Sequence, residues 1–391
     1  MERLVPRLRF SGFTGAWDEK KFSKLVSRRS KSSSNKTLPR IEYEDINSGL
    51  GSLKIDVFEK DNKHKKGIFF ENGDILYGKL RPYLKNWFLP LGEGVAVGDF
   101  WVLKPTGSDS KFVYYLIQTN QFYYISNIST GTKMPRSDWS LVSNREFLIP
   151  TLPEQEKIGQ VFARLDSLLD KQEKYINSYK DLKKGLIQRL FPKEGQSQPA
   201  LRFPGFAGDW EEVRIGHISV KNTKKNKDNK IIYVESVSNK HGLIPQEHQF
   251  DNRVASKNLD NYYIINHDMF VYNPSRINVG SLGYKFDYKT SVVSPLYISF
   301  SIMDSVNNMF FLYWLKTDDF AKQRDNHSEG SVRKTLSYEA FSTIKIKVPT
   351  LPEQEKIGQV FASLDKKIQR EEEKLRALKD LKRGLLQKLF I

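Results

Sequence analysis

The stretch Pro150–Ala163 reads PTLPEQEKIGQVFA, and the same fourteen residues return unchanged at Pro349–Ala362. An identity of that length within one chain marks a duplication, which sets the architecture before any local reading begins. A second pair opens each half: Leu8–Trp17 reads LRFSGFTGAW and Leu201–Trp210 reads LRFPGFAGDW. Each half therefore runs through LRF-x-GF-x-G-x-W, a diverged body, PTLPEQEK and a long tail. Residues 192–200, PKEGQSQPA, have the composition of a joint between the halves. Fainter echoes cross the bodies, where FVYYL at Phe112–Leu116 lies opposite FLYWL at Phe311–Leu315, and Gly131 opposite Gly330.

The tails read as helices. Thr151 and Glu154 fit a capping box with Pro153 in the first turn, and Thr350 and Glu353 repeat it. Apolar residues then follow a heptad. In the first tail one core position holds Phe162, Leu169, Ile176 and Leu190, the other Ile158, Leu165, Tyr179 and Leu186. In the second tail these positions hold Phe361, Ile368, Leu375 and Leu389, and Ile357, Leu364, Leu378 and Leu385. Alternating steps of three and four give a continuous seam that cannot face water. Polar residues interrupt both seams at matching places, Lys183 and Lys382, and Gln172 and Glu371. Helices of about 37 residues would reach ~55 Å. The economical arrangement pairs the two tails antiparallel in one chain with a body at each end; pairing between chains is the other solution. Leu182, Leu381, Val161 and Val360 lie beside the seam and widen the apolar stripe, toward either a partner protein or the chain's own bodies.

The bodies, near 17–149 and 210–348, carry short β-type runs: Gly67–Phe70, Asp74–Tyr77, Asp99–Leu103, Ile231–Val234, Met269–Tyr272 and Leu296–Phe300. One helix is expected late in each, at Phe112–Gln121 and Met309–Lys322. The expected class is α+β: two mixed α/β bodies separated by a long antiparallel two-helix coiled coil, with an internal pseudo-twofold repeat. The segments are 1–149 (first body), 150–191 (central helix), 192–200 (linker), 201–348 (second body) and 349–391 (C-terminal helix, paired with the central one).

A net charge of +17 favours polyanionic partners, since neutralising phosphates releases condensed counterions. With no cysteine, disulfides and thiolate metal sites are excluded. The N-terminus MERLVPRLRF lacks the apolar core of a secretion signal, and no apolar run approaches the ~20 residues of a membrane span, so a soluble cytoplasmic protein is expected. Catalytic patterns are missing: there is no P-loop, no G-x-G-x-x-G after a strand and no H-E-x-x-H. Asn273-Pro274-Ser275-Arg276 is an incomplete match to an adenine-methyltransferase motif and has no cofactor loop before it. Glu154-Gln-Glu-Lys157 lacks the E-x-K spacing of nuclease sites and reads as capping and surface charge. The chain is expected to catalyse nothing and to bind no metal or cofactor.

Cations gather where strands end. Lys79, Arg81 and Lys85 follow the Asp74–Tyr77 run, and Ser275, Arg276 and Asn278 follow Met269–Tyr272. Arginine at a strand end can offer paired donors to guanine O6 and N7. Gly131, Thr132, Lys133 and Arg136 lie opposite Gly330, Ser331, Arg333 and Lys334. Such glycine loops with hydroxyls and cations suit close backbone approach to phosphate or a groove. The runs Lys60–Lys66 and Lys221–Lys230 are more diffuse and read mainly as solvated surface.

Two diverged bodies, each closed by PTLPEQEK and a heptad helix, resemble the specificity subunits of type I restriction–modification enzymes. The repeated LRF-x-GF-x-G-x-W opening is similar too, so the likeness covers essentially the whole chain. It implies that each body is a target-recognition domain reading one half of a bipartite, asymmetric DNA sequence. It implies that the paired helices fix the gap and help dock two methyltransferase subunits, through which restriction and translocation subunits join. S-adenosylmethionine, ATP and magnesium would belong to those partners. A bivalent coiled-coil scaffold, or a stand-alone nucleic-acid-binding protein, are the competing readings.

Overall fold

A computed structural model describes residues 5–54, 57, 64–128, 133–249, 258–330 and 334–391, of which 248 and 249 are described by backbone alone. The chain is a mixed α/β protein with two 39-residue helices, and it divides into two compact units. Met1–Lys174 with Glu372–Ile391 form the first unit and Tyr175–Glu371 the second, so the division runs through both long helices.

In the first unit, β1 (Asp18–Lys21) and β2 (Val26–Arg29) flank a one-turn helix that buries Phe22 and Leu25. β3 (Ile75–Gly78), β4 (Trp87–Phe88) and β5 (Phe100–Pro105) join β2 in an antiparallel sheet of order β2-β5-β3-β4. A second small sheet, which includes Gly67–Phe70 and Gly94–Ala96, closes a satellite core around Ile41, Phe70, Leu76 and Val102. Two short helices follow, α1 (Ser110–Leu116) and α2 (Asn120–Ser126). β6 (Glu146–Ile149) then pairs back onto β1, and α3 (Leu152–Leu190) begins.

The second unit repeats this plan. β7 (Glu211–Arg214) pairs with the strand that closes the body, and β8 (Ser219–Lys221), β9 (Met269–Tyr272), β10 (Leu282–Tyr284) and β11 (Ile298–Ile302) form a sheet of order β8-β11-β9-β10. α4 (Asn308–Trp314) and α5 (Asp318–His327) precede the closing strand β12 (Lys345–Val348), which leads into α6 (Leu351–Leu389).

Two expectations about the bodies need correction. Each late helix is a pair, because Thr119 and Thr317 break the run and cap the next helix by accepting from the Phe122 and Phe320 N–H groups. Ile231–Val234 is not a strand: the strand is Glu235–Ser238, and only Val234 makes an isolated bridge to Val292.

The repeated motifs have a structural use within each unit. In the first, Arg9 Nε and Nη2 donate to the two carboxylate oxygens of Glu154 at 2.8 Å each, and Arg9 also donates to the carbonyls of Thr14 and Gly15. In the second, Arg202 does the same with Glu353, at 2.8 Å twice, and with the carbonyls of Ala207 and Gly208. Glu154 and Glu353 are each 1% exposed. The expected surface charge is therefore a buried carboxylate, held because a bidentate guanidinium replaces the hydration it loses. Gln155 accepts from the Asp109 N–H at 3.0 Å and donates to Pro150 O at 2.8 Å; Gln354 accepts from the Asn307 N–H at 2.8 Å and donates to Pro349 O at 2.8 Å. Asp109 and Asn307 are the N-caps of α1 and α4, so PEQ locks each long helix to the body of its own unit. Closeness also explains the next glycine. A Cβ on Gly159 would stand 2.7 Å from Lys111 Cβ, and one on Gly358 2.9 Å from Met309 Cβ.

The seam residues Ile158, Phe162, Leu165, Leu169, Ile176, Ile357, Phe361 and Ile368 are buried, while Leu186, Leu364, Leu375 and Leu385 are half-buried. Within the first unit the start of α3 meets the end of α6: Lys382 pairs with Asp166 at 2.7 Å, and Lys379 with Glu173 at 2.8 Å. Within the second unit Lys183 pairs with Asp365. The polar interruptions thus find partners. Tyr115 donates to Asp166 at 2.8 Å and Tyr313 to Asp365 at 2.6 Å, tying α1 and α4 into the same clusters. Burial first, then the neighbouring carboxylate, pushes both phenols above their ordinary range, so each remains a neutral donor. Leu182 and Leu381 stay about half exposed.

Candidate nucleic-acid interface

In the first body the chain leaves β3 at Gly78 and enters a 3₁₀ turn, Pro82–Leu84. Arg81 and Lys85 bracket that turn in the left-handed region, at φ 50° and 56°. Non-glycine residues rarely adopt this backbone, and the strain of ~1–3 kcal/mol each persists only where neighbours impose it. Here the neighbour is the segment after Lys133. The Arg81 N–H donates to Pro135 O at 2.8 Å, the Ser137 N–H to Lys79 O at 2.8 Å, and Leu80 bridges Arg136.

The second body joins its strand-end loop to a later segment through other residues. Arg276 precedes a 3₁₀ turn, Ile277–Val279, which ends at Gly280 with φ 91°. The Leu336 N–H donates to Pro274 O at 3.1 Å, Tyr272 Oη to Leu336 O at 3.2 Å, and Ser275 Oγ lies 3.5 Å from Thr335 Oγ1. Two backbone hydrogen bonds between Glu329 and Thr335 close the glycine loop, in which Gly330 has φ 102°. In each body the strand-end loop is thus hydrogen-bonded to a later segment, residues 135–137 in the first and 335–336 in the second.

Arg81, Lys85, Lys133, Ser275, Arg276, Asn278, Gly330 and Lys334 are exposed at these loops. Neither the Arg81 nor the Arg276 guanidinium has a hydrogen bond or ion pair among the described residues. Lys85 Nζ sits 5.2 Å from the Tyr123 ring centroid, and Lys334 Nζ lies 3.4 Å from Asp325 O. Lys79 and Arg136 are not loose cations: both contact Asp99, at 3.4 Å and 2.9 Å. Gly131, Thr132, Ser331 and Arg333 lie outside the described residues. The diffuse basic runs are partly neutralised, with Lys65 on Glu42, Lys221 on Glu339 and Lys230 on Asp228. Among the described residues no three or more His, Asp or Glu side chains gather to hold a metal ion, and no helix is long and apolar enough to cross a membrane.

Comparison with known proteins bears on this arrangement. Residues 207–380 match the family model for the type I restriction modification DNA specificity domain. The whole fold is similar to the crystal structure of a type I restriction–modification S subunit from M. genitalium, with 17% identity, 99% of both chains covered and a TM-score of 0.63. Residues 207–380 are thus similar to the type I specificity domain, and the fold is similar to that of an S subunit. The chain is 24% identical over 390 residues to the MjaIX specificity subunit of Methanocaldococcus jannaschii, covering 90% of this chain and 84% of that one. It is 28% identical over 125 residues to the EcoDI specificity subunit of Escherichia coli, covering 32% of this chain. The matches span 28% of the length of the EcoDI subunit and 42% of the MjaVIII subunit of M. jannaschii.

Several residues with a structural task carry little signal in the sequence. Asp99 was read only as the start of a strand, although it organises two of the candidate cations. Arg9, Arg202, Gln155 and Gln354 were visible as repeats without an assigned task. Asp166 and Asp365 also stand at the repeat offset, a signal that could have found the paired tyrosine–lysine clusters.

Proposed function

We propose that this chain is the sequence-reading subunit of a type I restriction–modification enzyme and performs no chemistry itself. One observation carries the reading: in two bodies of diverged sequence a strand-end loop is hydrogen-bonded to a later segment and carries an exposed arginine at the end of the equivalent strand. Diverged readers on one scaffold suit a target whose two halves differ. The basic balance supports duplex DNA as the ligand, since phosphate contacts supply sequence-independent affinity. In this reading α3 and α6 form a coiled-coil spacer that sets the gap between half-sites, much as the geometry of a dimer sets half-site spacing. Joining two modest readers rigidly raises the effective concentration of the second once the first is bound.

Two methyltransferase subunits would dock on the repeated framework, and restriction subunits would join through them in the cytoplasm. S-adenosylmethionine, ATP and magnesium would reside on those partners. Flipping an adenine out for methylation needs distorted DNA, and partner contacts would supply most of that energy. The chain alone is therefore expected to bind duplex DNA weakly, with affinity falling steeply between 50 and 200 mM salt, on the order of 10³-fold if about six phosphates are contacted. Titration of labelled random-sequence duplex at several salt concentrations tests this. Salt-independent binding, or none at low salt, would favour the scaffold reading instead.

A further inference from the structure

We propose that Arg136 reads a guanine in the half-site of the first body and that Asp99 is the positioning residue that aims it. The proposal rests on the DNA-recognition reading above and assigns one base and one side chain within it. Arg136 donates through Nε, at 3.1 Å, and Nη2, at 2.9 Å, to a single oxygen of Asp99. That uses the side-on fork of the guanidinium. The end-on fork, made by Nη1 and the second proton of Nη2, remains, and the side chain is 51% exposed. Two parallel donors in that fork match the O6 and N7 acceptors on the major-groove edge of guanine.

The brace is itself fixed. Asp99 stands immediately before β5, its carbonyl accepts from the Lys79 N–H at 3.0 Å and from the Tyr43 hydroxyl, and its second carboxylate oxygen takes Lys79 Nζ at 3.4 Å. The backbone of Arg136 is held by its bridge to Leu80. A guanidinium ordered before binding loses less freedom on binding, which favours base reading over general attraction. A carboxylate on a DNA-facing surface also repels phosphate, so a surface built only for attraction would do better without Asp99. Arg81 has no such brace among the described residues and suits a phosphate. In the second body the residue before β11 is Tyr297, so the Asp99 carboxylate has no counterpart at that position.

The test uses the complex with a type I methyltransferase subunit and duplexes carrying every single base-pair change in each half-site. Asp99→Asn and Arg136→Lys should each lose discrimination at the same one G·C pair, by roughly tenfold or more, with the other half-site read as before. Affinity of Asp99→Asn for non-specific duplex should hold or rise, because a negative charge has gone. Equal loss at every position, or an unchanged preference in Arg136→Lys, would make Arg136 a phosphate contact and overturn the proposal. If the unmutated complex shows no base preference, the underlying DNA-recognition reading fails as well, which separates the two failures. Thermal melting of each variant alone checks folding, and a variant that melts normally yet reads that G·C pair unchanged also overturns it.

Discussion

Glu154 and Glu353 show how one side chain can be misjudged when its partner is distant in sequence. Capping logic looks three residues away, but Arg9 lies 145 residues from Glu154. The repeat signalled that these residues matter, while only the fold says to what. Glu154→Gln should lower stability by about 1–3 kcal/mol, since a charged hydrogen-bonded pair in a buried setting loses its anion. A reduced urea midpoint at unchanged slope would check it. Gly159→Leu should destabilise by about 1–3 kcal/mol through overpacking against Lys111 and Asp109, read in the same assay. Arg81→Gly should do the opposite. It removes left-handed strain and should stabilise by up to about 1 kcal/mol, while weakening DNA binding by the methyltransferase complex. A Tm that falls would contradict the strain account.

The long helices were the most legible elements, because a heptad over several turns is a strong periodic signal and needs no knowledge of the partner. The class of the bodies was legible as well, from short apolar runs between turns. The paired helices α1–α2 and α4–α5 were hidden because Thr119 and Thr317 sit inside continuous aromatic runs, where burial masks a cap. Gly330, Arg81 and Arg276 lie exposed on loops, as their residue types suggest, whereas Gly131 lies outside the described residues. Asp99 was invisible, since a lone aspartate before a strand has no pattern; only the meeting of the 79–81 and 133–137 segments gives it a role. Deleting seven residues from each long helix shortens it by about 10 Å, close to three base pairs of DNA. The methylated motif should keep both half-sites and lose about three base pairs of gap. An unaltered gap would remove the spacer role.

Taken whole, the molecule uses its repeat in two ways. The identical parts hold each unit together: LRF clasps the helix start, PEQ locks the helix to the body, and the tyrosine–aspartate–lysine clusters bind both helices to α1 and α4. The different parts are the loops where recognition is proposed. Replacing residues 17–149 with the corresponding body of another specificity subunit should therefore change one half-site and leave the other intact. A change in both would show that the readers are not independent. The most direct measurement is co-expression with a type I methyltransferase subunit, followed by sequencing of methylated adenines across the host genome. The account predicts one bipartite, asymmetric motif with a fixed gap, absent when this chain is omitted. A stable complex that methylates no motif, or methylation that persists without this chain, would contradict it.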